Sequence, residues 1–411
     1  MSTFKNAQIV DVFLDAEDGD SLNVGKLAYH EKQIYFEYSG DFLATKFQIS
    51  PYKLPLKPGL QLCDDRVFDG LFGVFADSLP DGWGRLLVDR YFKKLGIEPK
   101  QLTPLDRLVM VGRFGMGALR YEPDESSGVK QKLSGLILDE LAIESIEILE
   151  GDSDLVIDKL LKINGSSGGA RPKAVIQTND DRTGIVHGAQ KLKPGYLHWI
   201  VKFPSSQDSK FSGHIEYAYS LMARKGGIEM PDTHLFKCKK NSYFAVRRFD
   251  RDGDSKIHMH SLAGLIHADF RIPSLDYDDI LMLTYDLTKS AAELEKAFRL
   301  ACFNILTHNK DTHAKNFSYI MRDRHWYLSP AYDITFSGGP GNEHSTALFG
   351  KGKDITIKDI AKLGAKHNIK STEKIIEDVV SAIKEWKHFA DMADIPRGES
   401  SAIYKHLSYT I

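Results

Sequence analysis

Only three cysteines occur in the 411 residues, Cys63, Cys238 and Cys302, and none stands near another. That spacing makes neither a C-x-x-C pair nor the even framework that staples small secreted folds, so reduced thiols are expected. Missing too is any run of about 18 uninterrupted apolar residues, and the opening MSTFKNAQIVDVF has no basic stretch leading into an apolar one. A membrane span and a secretory address are therefore not expected, and a soluble, cytoplasmic protein is. Charge of one sign is lacking as well: 54 Lys and Arg against 56 Asp and Glu leave a formal net charge of -2. No global basic field is available to draw nucleic acid or an anionic membrane, so any such contact must be local. Internal repeats and low-complexity tracts are absent. What remains is a chain with 42% hydrophobic residues, long enough to bury more than one core and divide into at least two domains.

From Ile9 to about Tyr121, short alternating runs such as QIYFEYSG and ATKFQIS, broken by proline and glycine, read as antiparallel strands of a small β-rich unit. Within it SLPDGWGRLLVDRYFKKLG reads as a turn feeding an amphipathic helix that stops at Gly96, with packing as its role. GRFGMGALRY has the look of a phosphate loop, but its glycines precede a strand-like stretch, which favours a hairpin turn. The polar PDESSGVKQK is the best linker, and domains are expected at 1–122, 123–249 and 250–411. Residues 135–163 read as helices. SSGGARPKAVIQTND then gives a glycine loop running into a strand, YLHWIVKFP a second strand, IEYAYSLMARKGG a helix and YFAVRRFDR a third strand. Beyond Arg251 helical patterns dominate, interrupted by a polar loop and a hairpin between Phe317 and Asp333.

The segment THNKDTHAKNFSYIMRDRHWYLSPAYDITFS carries the most chemistry. Asp311 and Asn316 have the D-x-x-x-x-N spacing of a kinase catalytic loop, and the hairpin FSYIM–RDR–HWYLS brings Asp333 back toward it. Phosphoryl transfer needs such a set: a carboxylate to orient the attacking hydroxyl and take its proton, and an Asn and a second Asp to hold magnesium. Singly, such residues more often satisfy turns and caps. His308 lies three positions before Asp311, where the common H-R-D motif has two, which argues against a close relative of the common protein kinases. Lys202 in HWIVKFP resembles the lysine of the kinase strand V-A-I-K, and Glu216 on the following helix could pair with it. The SSGGARPKA loop can offer backbone N–H groups to phosphates but lacks the G-K-[ST] ending of a Walker motif. YFAVRRFDR suits a hinge at which backbone groups near Arg247 and Phe249 read adenine. His308, His313, His325 and His344 lack the spacing of a zinc site, and the lysines of KGKDITIKDIAKLGAKHNIK suit a solvated helix face.

Taken together, SLPDGWGR, VGRFGMGAL, SSGGARPK, HNKDTHAKNF and SPAYDITFS resemble the HipA family of bacterial toxin kinases over nearly the whole chain. The resemblance implies an α+β, two-lobed protein-kinase-like fold with a β-rich N-terminal subdomain and an all-α C-terminal lobe. It implies ATP and Mg2+ as cofactors, with Asp311 as catalytic base and Asn316 and Asp333 as metal ligands. Gly168, Gly169, Ala170, Arg171, Pro172 and Lys173 would form the phosphate loop, and Lys202 would contact the phosphates. Arg247, Arg248 and Phe249 would face adenine, Asp250 and His313 the ribose, and Lys315 the nucleotide. Autophosphorylation is implied at Ser166 or its neighbour Ser167, where a phosphate beside a phosphate site would expel the loop. A HipB-like helix-turn-helix antitoxin is the implied partner, with operator DNA bound chiefly through it. The family's best-known substrate type is an aminoacyl-tRNA synthetase. A small-molecule phosphotransferase and a catalytically silent, DNA-associated corepressor are the alternatives.

Overall fold

The computed structural model describes residues 4–15, 21–126, 137–151, 156–164, 169–188 and 191–408. The chain divides into two compact units, one comprising Met1–Asp208, Lys237–His260 and Gly264–His267, the other Ser209–Phe236, Ser261–Ala263 and Ala268–Ile411. No helix of the described residues is long and apolar enough to cross a membrane.

The first unit opens on an antiparallel sheet in the order Gln61–Leu62, Gln33–Tyr38, Ser21–His30, Ile9–Asp15, Leu119–Glu122. Period-2 patterning decides which face is covered: Val10, Val12 and Leu14 are buried, while Asp11 and Phe13 between them are not. The expected β-rich unit carries about as much helix as strand. ATKFQIS is no strand, because Ser39 accepts the Phe42 N–H at 3.1 Å and starts the helix Gly40–Thr45 instead. Further helices occupy Gly73–Ala76, Gly82–Lys94 and Pro104–Val111. GRFGMG is no hairpin turn either. It links the helix Pro104–Val111, which ends at Gly112 with φ +52°, to the strand Leu119–Glu122.

Two histidines latch distant parts of this unit. The His260 Nδ1 stands 2.6 Å from Asp77 Oδ2 and its Nε2 3.0 Å from Ser50 Oγ. The His267 Nδ1 lies 3.1 Å from Asp65 Oδ2, and its Nε2 accepts the Gly73 N–H at 2.9 Å. After the helices Leu138–Glu150 and Ile157–Asn164, a second antiparallel set runs Ile185–His187, Lys173–Asn179, Tyr196–Lys202, Ser242–Arg247.

The second unit is built on the helices Ser212–Lys225, Tyr277–Thr288, Ala291–Leu306, Ile357–Lys366, Thr372–Lys384, Trp386–Met392 and Arg397–Ser408. Trp386 is wholly buried, its ring 5.4 Å from that of Tyr219 in an edge-on contact. The unit is not all-α. It contains the hairpin Ser318–Arg322/His325–Leu328 and a short parallel pair, Leu275–Asp276 with Thr346–Ala347. In the hairpin, Arg322 pairs with His325 across the two-residue loop Asp323–Arg324, at φ +47° and +63°. Positive φ at both positions is the type I′ turn that matches strand twist.

Burial lowers the pKa of His198 to about 3, with the Arg248 and Arg251 cations adding to it, and of His258, His308 and His344 to about 4. The unfolded chain binds these protons near pH ~6.5, so it holds more protons than the folded chain through this window, and stability falls as pH falls. The midpoint of thermal unfolding is expected to drop between about pH 6.5 and 4.5. His258→Gln, which can still donate to the Ile49 carbonyl that His258 Nε2 meets at 2.9 Å, should make that dependence shallower by about 1.4 kcal/mol per pH unit. Urea unfolding across the pH series checks this, and an unchanged slope overturns it.

Candidate functional site

The loop after the helix Ala291–Leu306 lies outside any regular ladder or helix over most of its length, so side chains share with a few main-chain bonds the task of satisfying its backbone. Asn304 Oδ1 accepts from Asn309 Nδ2 at 2.9 Å, and the Tyr219 hydroxyl donates to the Thr307 carbonyl at 2.7 Å. Ser337 Oγ accepts the N–H of both Lys310 and Asp311, at 2.8 and 2.9 Å, while the Ser337 N–H donates to the His308 carbonyl at 3.2 Å. Thr346 Oγ1 donates to the Thr312 carbonyl. Asp311 is thereby held by its backbone with its side chain exposed.

A single 3-10 turn, Ala314–Asn316, follows, and Asn316 Nδ2 donates to the Asp311 carbonyl at 2.7 Å. That bond fixes which way the carboxamide faces and turns its oxygen away from Asp311, as a hard ligand requires. The hairpin then returns the chain. Tyr332, next to Asp333, donates to the Lys315 carbonyl at 2.6 Å and contacts Ser318 Oγ at 2.5 Å. The segment carrying Asp333 is thus tied beside Asn316, with Asp333 itself at φ +53°. Lys315 Nζ lies 4.3 Å from the centre of the Phe270 ring, a cation–π contact, and the His313 ring is 5.9 Å from the same ring. No group of three or more His, Cys, Asp or Glu that could hold a metal occurs among the described residues. One carboxylate and one carboxamide suit magnesium, which takes few protein ligands and completes its shell with water and phosphate oxygens.

In the first unit, Ser166, Ser167 and Gly168 lie outside the described residues. Gly169 to Lys173 lead into the strand Lys173–Asn179, with Arg171 paired to Asp208 at 2.8 Å and the Phe203 N–H donating to the Pro172 carbonyl at 2.8 Å. Lys173 and Lys202 stand directly opposite on neighbouring antiparallel strands, so both side chains share one face. Glu216 is buried on the helix Ser212–Lys225 of the second unit.

Arg247 ends its strand opposite Trp199, and the Arg248 N–H donates to the His198 carbonyl at 2.9 Å. Asp250, expected at the ribose, is placed in a buried knot. Its carboxylate is wholly buried and accepts from Arg248 Nε at 2.9 Å, from Arg248 Nη2 and Arg251 Nη1 at 2.7 Å each, and from the Gly117 N–H at 2.7 Å. Burial alone would raise its pKa, but the two guanidiniums outweigh that and hold it well below the carboxylate range. Arg248 and Arg251 also donate to the Gly115 carbonyl, at 3.2 and 2.8 Å. Gly115 and Gly117 of GRFGMG are therefore spent on this knot. Ser337, Asn304 and Tyr332 are site residues that motif reading passed over. Only Ser337 and Tyr332 left a trace, inside SPAYDITFS.

These parts define a protein of mixed α and β structure, with the braced loop around Asp311 in its second unit. Two family models match: the HipA N-terminal domain over residues 14–122 and the HipA-like C-terminal domain over 165–387. The chain belongs to the HipA family. Among curated relatives it is 26% identical over 359 residues to Y4dM of Sinorhizobium fredii, named as an inferred kinase, covering 82% of this chain and 76% of that one. A Haemophilus influenzae protein, likewise named as an inferred kinase, is 26% identical over 168 residues, 37% of this chain and 49% of the relative. Among solved structures, HipA of Shewanella oneidensis, determined with HipB and its operator DNA, matches with a TM-score of 0.68. That match covers 97% of this chain and 95% of the other at 16% identity, a likeness of fold.

The knot generates a direct expectation. Asp250→Ala leaves two buried guanidiniums without their shared carboxylate and should cost about 3–5 kcal/mol of stability. Chemical denaturation of the variant measures the loss, and a change under about 1 kcal/mol, the scale of an exposed pair, would show the knot to be dispensable.

Proposed function

We propose that this protein is a HipA-type kinase that transfers the γ-phosphate of ATP to a serine or threonine hydroxyl of a protein. The observation that carries the reading is the bracing of Asp311 and Asn316 by one another and by Ser337, with Tyr332 returning the Asp333 segment beside them. In the reaction Asp311 orients the attacking hydroxyl and accepts its proton. The hydroxyl oxygen bonds to the γ-phosphorus, the bond to the β,γ-bridging oxygen breaks, and ADP departs. Lys202 and Lys173 hold phosphate oxygens, and backbone groups from Arg247 to Phe249 read adenine. Asn316 and Asp333 would hold magnesium, which when bound neutralises charge on the phosphates. His313 and Lys315 complete the nucleotide contacts. Because Asp250 is committed to the arginine knot, it has no part in this set.

Regulation follows the same chemistry. A phosphate on Ser166 or Ser167 adds nearly two negative charges beside a site that must accept three phosphates, so the modified loop is repelled and activity falls. A HipB-like helix-turn-helix partner, and operator DNA through it, is supported by the fold shared with the Shewanella protein of the HipA–HipB–operator complex.

Incubation with labelled ATP and a cell lysate tests the reading. Label should appear on protein, on a peptide spanning Ser166 among others, and Asp311→Asn should lower the transfer rate about 10²–10⁴-fold while ATP still binds. Label confined to metabolites points to a small-molecule phosphotransferase, and an Asp311→Asn chain that keeps every cellular effect points to a silent corepressor. Ser337→Ala removes the acceptor of two loop N–H groups and should lower kcat roughly tenfold with ATP affinity kept. Steady-state kinetics on the phosphorylated protein decides it, and an unaltered kcat would mean that the hydroxyl does not hold Asp311 in place.

A further inference from the structure

The phosphoryl-transfer reading leaves the motif SLPDGWGR without a task, yet its residues converge on Gly169, the exit of the glycine-rich loop. Asp81 occupies the N-cap position of the helix Gly82–Lys94, where an aspartate ordinarily accepts from the helix's own first-turn amides. Its side chain makes no such bond. Instead the Asp81 carboxylate accepts the Gly169 N–H, 88 residues along the chain. One of the amides that a helix start leaves unsatisfied, the Trp83 N–H, donates to the Gly169 carbonyl at 3.1 Å. Both peptide groups flanking Gly169 are therefore held by the start of one helix.

Gly82 makes the approach possible. A Cβ there would stand 2.6 Å from Ala170 Cα and 2.8 Å from the Gly169 carbonyl oxygen, and the Gly82 backbone adopts φ +40°. Backbone atoms on both sides leave nothing that could swing aside. Gly169 itself sits at φ +99°, with the Lys173 Nζ 2.5 Å from where a Cβ would be built. The grip thus sets the conformation of the residue against which the first lysine of the strand packs.

We propose that Asp81, Gly82 and Trp83 form a clamp by which the HipA N-terminal domain fixes residues 169–173 of the C-terminal domain, so that Asp81 is a positioning residue for nucleotide phosphates. This rests on the nucleotide reading above. Residues 169–173 that are held beforehand lose less freedom on meeting phosphates, and affinity gains by that difference. The clamp uses Asp81 as an acceptor of one N–H. A carboxamide can fill that role and a methyl group cannot.

The test uses the full chain, its Asp81→Ala, Asp81→Asn and Gly82→Ala variants, hydrogen exchange of peptides covering 165–173, and calorimetry with ADP and with adenosine. Asp81→Ala should speed exchange in the 165–173 peptides and weaken ADP binding about tenfold, the worth of one hydrogen bond to a charged group, with adenosine binding unchanged. Asp81→Asn should restore both properties, and Gly82→Ala should reproduce the loss with Asp81 still present. An Asp81→Ala chain that exchanges and binds ADP like the parent overturns the clamp. So does one that loses adenosine as fully as ADP, since that reports general damage. If the parent chain binds neither ligand, the nucleotide reading falls with it, and the exchange rates alone then decide whether the loop is clamped.

Discussion

An irregular loop has no continuous helix or ladder to satisfy its backbone, and around Asp311 a few hydroxyl and amide side chains share that task with main-chain bonds such as the one from the Ser337 N–H to the His308 carbonyl. Ser337 is the clearest case. One oxygen accepts two consecutive amides, 26 and 27 residues back in the chain, and a parallel bridge between Asn309 and Ser337 locks the two segments side by side. Because Asn316 bonds the backbone carbonyl of Asp311, the carboxamide is tied to the stretch of main chain that carries the acid. Small hydrogen bonds, each worth about 1 kcal/mol, here define geometry more than they add stability.

The first unit solves a related problem with charge. The Asp250 carboxylate draws in Arg248, Arg251 and the glycine-bearing stretch that ends at Gly117. A buried charge is tolerated only with such full pairing. The knot binds the link between the helix Pro104–Val111 and the strand Leu119–Glu122 to the stretch that follows Arg247. Lys173 and Lys202, facing one another across two strands, add a like-charge pair of the kind usually avoided directly across a sheet and useful where an anion is to be met.

Much of this was legible from periodicity. The strands around Lys173, Lys202 and Arg247, the helix after Gly82 and the hairpin with its charged turn all announce themselves through alternation, amphipathic spacing and turn chemistry, because those signals act over a few residues. ATKFQIS misled because its alternation is genuine, but Ser39 starts a helix just ahead of it. The pairing of Asp250 was not legible, because a motif shows that an acid is present and not that two arginines will surround it. Asp81 and Ser337 left no periodic trace: their partners lie 88 and 26 residues away, and only the folded chain brings them together. The helical share of the first unit was not foreshadowed.

The latch at His260 carries a separate lesson. Asp77, His260 and Ser50 stand in the order and at the spacings by which hydrolases turn a serine into a nucleophile, with His260 and Ser50 almost wholly buried and the Asp77 side chain 7% exposed. Buried to this degree, the three side chains fasten together the segments that carry them. A geometric template passed over this chain would report an esterase, and the missing ingredient is a door.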